Sequence, residues 1–358
     1  MMSSPRGWSV SLWCLLLCCH AEAWRDTCII GCECSGTTIE CRHLDRKTFP
    51  ADLDPDTEIL RIRDSKISYI QQNALAKMRN LRVLEISSSD IIYIQTCAFA
   101  EVSNFTSIKF SKNNITNVVQ NAFAVVANVN ELVFEDSRVE TISTQAFTQL
   151  RDVKTFILSN LTVNKLEREA IDDVSGISNF QIDFNKFGYV GQSPLNSLFN
   201  VTLNISQNIF PSHCGVGDVL SDLIPETNVV IHFQNNVIQS CACNMSLIGA
   251  QRASFISMDQ NTCSGPPEIA GEPLLELADT PFCRATATNR TSPLWCPVTR
   301  RMSLLHNCHA FGSPLIPQEE VKDPRYDKGQ NDNNGAPNCN LSLFSISCWV
   351  FLCLYSWN

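Results

Sequence analysis

Apolar residues recur in one frame through the middle of the chain. Leu60 and Ile62, Leu84 and Ile86, Ile108 and Phe110, Leu132 and Phe134, Phe156 and Leu158, and Phe180 and Ile182 flank single intervening residues. Alternation with a period of two is the mark of a half-buried strand. Five residues after each pair comes another apolar position: Ile67, Ile91, Ile115, Val139, Val163 or Phe187. The frame opens at Thr57, Leu81, Phe105, Val129, Val153 and Ile177, in steps of 24 residues. Two looser copies open near Asn200 and Asn228, steps of 23 and 28. Ile70, Ile94, Val118, Ile142, Leu166 and Val190 keep the same step, as do Ala74-Leu75, Ala98-Phe99, Ala122-Phe123, Ala146-Phe147 and Ala170-Ile171. A fixed period of about 20–50 residues predicts a solenoid, in which each unit buries its apolar face only by stacking on its neighbours. The short strands then build a parallel sheet, and a small Ala beside a large Phe lets successive coils interdigitate at native density.

Written out, a unit reads Phe105-x-x-Ile108-x-Phe110-x-x-Asn113-x-Ile115. This resembles the leucine-rich repeat. The resemblance implies an α/β-type solenoid: a horseshoe with a parallel concave sheet and about eight coils over residues 57–238, capped by disulfides at both ends. The ninth position of the motif holds a buried asparagine that satisfies backbone groups, as buried polar groups require. It is Asn113, Asn185, Asn208 and Asn236 here, with Ser65, Ser89 and Ser137 in other coils. Leu161 cannot make those bonds, so coil five is predicted to be irregular there.

Cysteines cluster on both flanks of the repeats. Cys28-x-x-x-Cys32-x-Cys34 and Cys41 precede the first coil; Cys241-x-Cys243, Cys263 and Cys283 follow the last, with Gly271, Leu274 and Leu277 between. These stretches, residues 24–56 and 239–283, resemble the N- and C-terminal caps of extracellular leucine-rich repeat proteins. One departure follows Cys243, where an aromatic is common and this chain has Met245, Leu247 and Ile248. The resemblance implies the pairs 28–34, 32–41, 241–263 and 243–283; spacing alone allows others. Metal ligation by Cys241 and Cys243, or by His306, Cys308 and His309, is the competing reading, and a secreted context favours disulfides over it. No metal or cofactor is expected. Cys296 and Cys308 are expected to pair with each other, and Cys97 and Cys214, several coils apart, to be buried thiols or intermolecular links.

The secreted context is read from the start of the chain. Residues 1–23 have Arg6, the apolar run Val10 to Cys19 and the small-x-small site Ala21-Glu22-Ala23, a secretory signal too short to span a membrane. Residues 284–334 turn polar and read as a stalk. Residues 335–358 contain the apolar run Leu341 to Trp357 with no basic residue after it, whereas a spanning helix normally carries a basic cytoplasmic flank. Small residues at Asn334-Gly335-Ala336 point to a glycosylphosphatidylinositol attachment at Asn334, with a single span as the alternative. Sequons begin at Asn104, Asn114, Asn160, Asn200, Asn204, Asn244 and Asn289. Asn114 is expected to point outward and Asn204 to project from the concave face; Asn160 is excluded from glycosylation if coil five slips by one residue.

Charge and motifs narrow the function. Lys plus Arg is 27 against 36 Asp plus Glu, a net charge of −9 without a basic run, which argues against nucleic acid. No phosphate loop, G-x-S-x-G or zinc-protease helix is present, so no enzyme is expected. The outward positions of the predicted sheet are mainly basic first, at Arg61, Arg63, Arg82, Glu85, Lys109 and Lys112. They turn acidic at Glu131, Glu135 and Asp136, then neutral. A complementary extracellular or cell-surface protein, or a second copy of the chain lying antiparallel, suits such a gradient. Phe184 is the expected hot spot, because an exposed aromatic on a strand face is unusual. The resemblance implies cell adhesion or ligand recognition at the outer membrane face. The alternatives are a shed or secreted recognition protein of innate immunity and a structural protein of the extracellular matrix.

Overall fold

Every coil gives one strand to each of two sheets, and the 24-residue step sets their register. In the computed structural model, residues 28–51, 53–212, 228–241, 243, 255–258 and 260–288 are described. They fall in one unit within residues 1–311; residues 312–358 form a second. The signal, the stalk beyond Thr288, the attachment site at Asn334, the sequons at Asn244 and Asn289, and Cys214, Cys296 and Cys308 lie outside the described residues; the first five residues of the expected stalk, 284–288, are helical instead.

The Leu-x-Leu segments form the first sheet, which has 14 strands among the described residues. It begins with the antiparallel pair Cys32–Ser35 and Thr38–Arg42 and continues in parallel from Ile59–Arg63 to Phe255–Ser257. Its register is Leu60↔Leu84↔Ile108↔Leu132↔Phe156↔Phe180↔Leu203↔Ile231, so large apolar side chains stack on one another from coil to coil. The second sheet has 10 parallel strands, from Asp45–Thr48 to Thr262–Cys263. It carries the buried columns Ile67, Ile91, Ile115, Val139 and Val163, and Ile70, Ile94, Val118 and Ile142.

The return side of each coil differs from the α/β expectation. Among the described residues the repeats contain no helix; the one α-helix, α1 (Pro281–Thr288), and two short 3-10 turns belong to the C-terminal cap. The cause is a left-handed residue at each corner. Asn73, Cys97, Asn121, Gln145, Glu169 and Ser193 all have φ between 45 and 58°, and from Cys97 onward each lies two residues before the first residue of a return strand. A second left-handed corner follows at Glu101, Val125, Gln149, Asp173 and Ser197. L-residues enter this region singly, never as runs, so a helix cannot propagate through these positions. The return is instead a short ladder, Phe99↔Phe123↔Phe147↔Ile171↔Leu195.

Inside, phenylalanines from two columns interlock. Phe99, Phe123 and Phe147 stack at 4.7 and 4.9 Å, Phe110 and Phe134 at 4.6 Å. Between the columns the rings meet edge to face, Phe134 against Phe123 at 5.5 Å and against Phe147 at 5.4 Å. Both arrangements are favoured by the ring quadrupole. Past coil four the columns change to Leu158, Ile171, Ile182 and Leu195, and a small apolar cavity opens beside these four residues.

The ninth positions form a polar ladder in two runs, interrupted at Leu161. Ser65 N donates to Ser89 Oγ, Ser89 N to Asn113 Oδ1, and Asn113 N to Ser137 Oγ, at 3.0–3.1 Å. It resumes as Leu161 N to Asn185, Asn185 N to Asn208, Asn208 N to Asn236 and Asn236 N to Asn261, each at the Oδ1. Asn261, inside the C-terminal cap, is a rung that the repeat frame does not reach. Coil five is not irregular, contrary to the prediction. Leu161 is 2% exposed, and the register on both sides of it is kept, Glu135↔Ser159↔Asp183 and Arg138↔Thr162↔Lys186. A buried Leu fills the position by packing, and its own N–H still finds the Asn185 Oδ1 at 2.8 Å. Asn160 therefore does not slip inward: it stays exposed.

The caps close with Cys28–Cys34, Cys32–Cys41, Cys241–Cys263 and Cys243–Cys283, the connectivity that the resemblance implies. They cover the open ends of the core, which a solenoid needs in order to stay soluble. Cys97 is a correction. It is 3% exposed but not a thiol: it is disulfide-bonded, and since the other eight described cysteines pair among themselves, its partner lies outside the described residues.

Candidate binding face

In a strand whose alternate residues are buried, the remainder must point out. The outward positions of the first sheet form three columns. The middle one runs Glu40, Arg61, Glu85, Lys109, Val133, Ile157, Gln181, Asn204 and His232, each residue beside the next by strand pairing. Strands about 4.8 Å apart bring such neighbours into ionic or hydrogen-bonding reach.

This removes the simple charge gradient. Arg61 sits between two carboxylates, with Nη1 at 3.1 Å from Glu40 and Nε at 2.9 Å from Glu85. Arg63 reaches Glu85 at 3.9 Å, and Lys109 reaches Glu135 at 2.7 Å. The coils that look basic in sequence are thus a ladder of alternating sign that neutralises itself. Burial alone pulls the Arg61 guanidinium pKa down, but the hydrogen bonds to Glu85 and Glu40 outweigh it and hold the group above its ordinary value. Each pair is partly solvated and adds little stability by itself; its effect is to fix the side chains as a rigid, overall neutral surface. Glu40 was not among the sequence candidates, because it lies in the cap strand; stepping the frame back onto Thr38–Arg42 finds it.

The other candidates disperse. Arg82 precedes its strand, is exposed, and donates to the Asn104 carbonyl at 3.3 Å. Glu131 is exposed near the entry to the sheet. Val133, 5% exposed, and Ile157 form an apolar step between the charged and neutral parts of the middle column. Val133 was legible as the residue between Leu132 and Phe134.

Phe184 is not on the strand face. Its strand is Asn179–Asp183, and Phe184 occupies the corner where the chain leaves the first sheet for the second. That corner is left-handed in every coil: Asp64, Ser88, Lys112, Asp136, Asn160, Phe184, Gln207 and Asn235 have φ from 50 to 57°. Polar or short side chains suit it; a bulky aromatic with φ 56° is an outlier. The ring does not gain burial in exchange. It is 55% exposed, and Phe187 stacks on Phe210 at 5.3 Å without it. On one side of this corner column lies Asn160, whose Nδ2 donates to Asp136 at 2.7 Å and so leans away from Phe184. Next to Phe184, Asp183 has a buried Oδ1 with no hydrogen-bond partner among the described residues.

Among the described residues no group of His, Cys, Asp or Glu is arranged to hold a metal ion, and no helix is long and apolar enough to cross a membrane.

Known proteins share the repeat. A family model, the BspA type Leucine rich repeat region, matches residues 68–202 in six copies. Among solved structures, human 5T4 (Wnt-activated inhibitory factor 1, Trophoblast glycoprotein) is 17% identical, with a TM-score of 0.34 over 71% of this chain and 97% of that one. A chain of the octameric complex of Latrophilin 3, Unc5D and FLRT2 is 17% identical, with a TM-score of 0.31 over 71% of this chain and 100% of that one.

Proposed function

Taking as premise that the chain is a leucine-rich repeat protein closed by a disulfide cap at each end, we propose that it is a non-catalytic binding module of the cell surface. It recognises an extracellular protein, or a second copy of itself, in adhesion or ligand recognition. Phe184 carries this reading. A large apolar side chain kept exposed in a backbone conformation that costs about 1–3 kcal/mol is strain without a folding benefit, and such strain concentrates at functional sites. An exposed aromatic is also the residue type most enriched in binding hot spots. The rigid charge ladder in the early coils of the same sheet supplies orientation and rejection of wrong partners more than affinity. Disulfides at both caps support the secretory route.

The test uses one substitution with opposite effects. Phe184→Gly relieves the left-handed strain, so the thermal midpoint of the folded protein rises or stays level. Affinity for a partner captured in a screen of extracellular proteins falls about tenfold or more, the hot-spot range. Unchanged affinity removes Phe184 from the site.

Membrane attachment rests on the sequence of residues 284–358. A lipid anchor at Asn334 predicts that phosphatidylinositol-specific phospholipase releases the protein from intact cells into the medium; retention after treatment rejects the anchor.

A further inference from the structure

The sequon Asn204-Ile205-Ser206 lies within a strand of the first sheet, Val201–Ser206. Leu203 and Ile205 are buried, so Asn204 and Ser206 both point outward. By register Asn204 stands between Gln181 and His232, in the middle column of the face. Its setting also differs from those of three other described sequons. Asn104 Nδ2 donates to Ser103, Asn114 to Asp90 and Asn160 to Asp136, whereas Asn204 lies inside a paired strand and projects from its outer face. The surface around it is rich in hydrogen-bonding groups: Gln181, Ser206, His232 and Gln234, with the carboxylate of Asp183, whose Oδ1 has no partner among the described residues, on the diagonal. Amides, a hydroxyl, an imidazole and a carboxylate oxygen are the chemistry that accommodates sugar hydroxyls.

We propose that Asn204 is an N-glycosylation site whose glycan lies over the middle of the first sheet in coils six to eight. The transfer is redox-neutral. The amide nitrogen bonds to the anomeric carbon of a glycan carried on a lipid pyrophosphate, the bond from that carbon to the phosphate oxygen breaks, the pyrophosphate leaves with the electron pair, and the amide loses one proton. At about 4.8 Å per strand, the first sugars cover roughly one coil to either side of Asn204. The sugar therefore screens Gln181 and His232 but leaves coils one to three, with Arg61, Glu85 and Lys109, uncovered. This deepens the binding reading and rests on it for one consequence: a partner engages Phe184 at the corner and does not cross the sheet in coils six to eight.

Enzymatic deglycosylation of the full-length protein purified from eukaryotic cells converts each sugar-bearing Asn to Asp, and peptide mass mapping then reads the site. Conversion of Asn204 is expected; an unmodified Asn204 overturns the proposal. In the second measurement, hydroxyl-radical footprinting compares the wild type with Asn204→Gln or, should that variant fail to reach the surface, with Ser206→Ala. Labelling of His232 rises when the sugar is lost and labelling of Tyr93, on the second sheet, does not. Equal His232 labelling overturns the placement over the sheet. Neither measurement involves a partner, so a failure of the binding reading at Phe184 leaves this result standing, and the reverse also holds.

Discussion

Phe134→Ala is expected to lower stability by about 4 kcal/mol, the middle of the range for core aromatic truncation. Phe134 is 2% exposed and touches both phenylalanine columns: it stacks on Phe110 and meets Phe123 and Phe147 edge to face. Removing the ring forfeits three aromatic contacts, each worth about 0.5–1.5 kcal/mol beyond area burial, and leaves a void in the middle of the stack. The void cannot collapse easily, because the neighbouring strands are locked in register by ladders on two sides of the coil. In a solenoid each coil contacts only its neighbours, so the damage is local to coils three to five while the ends stay folded. Hydrogen exchange should therefore show lost protection in residues 105–160 before it is lost near either cap. Unfolding that stays uniform along the chain, or a loss below about 1 kcal/mol, contradicts a spine of interlocked rings.

The aromatic spine was only half legible from the sequence. The period, the strand faces and the inward columns follow from the spacing of apolar residues, because a step of 24 leaves a single way to stack the coils. Side-chain contacts across columns do not follow, since Phe110 and Phe123 belong to different sides of one coil and their meeting depends on its width. Helix was the wrong expectation for the return side for a related reason. The left-handed corners at Cys97, Gln145 and Glu169 are unusual for those residue types, and nothing in their identity announces them. The site shows the same division. Outward positions could be assigned strand by strand, yet charges on adjacent strands look like a gradient in linear order and become ion pairs once the register places Arg61 between Glu40 and Glu85. Phe184 was identifiable as exposed, but its place in a turn required the strand to end at Asp183.

Asn208→Leu is expected to cost about 3 kcal/mol, and Asn208→Ser about 1 kcal/mol, in chemical unfolding. Asn208 is fully buried; its Oδ1 accepts from the Asn185 N–H at 2.9 Å, and its Nδ2 donates to the Ile182 carbonyl at 2.8 Å and to Asn236 Oδ1 at 3.0 Å. Leucine removes both groups and orphans a buried backbone donor and a buried backbone acceptor at once. Each such orphan costs about 1–3 kcal/mol, and the added apolar contact offsets part of this. Serine keeps an acceptor, as the chain itself shows where the Ser89 Oγ takes the Ser65 N–H at 3.1 Å. Leu161 appears to contradict the expected loss, since this chain already carries Leu at a ninth position. The two sites differ in what surrounds them. Leu161 packs among Ile142, Val163, Leu166 and Phe187 beside the small apolar cavity, where aliphatic volume is needed. Asn208 is flanked by Asn185, Asn236 and Asn261, where the amides bond to one another in series and a missing member breaks two rungs. The same leucine is therefore tolerated in coil five and disruptive in coil seven. If Asn208→Leu proved as stable as wild type, packing alone would hold these coils together, and the asparagine ladder would have no energetic role in joining the repeats to the C-terminal cap.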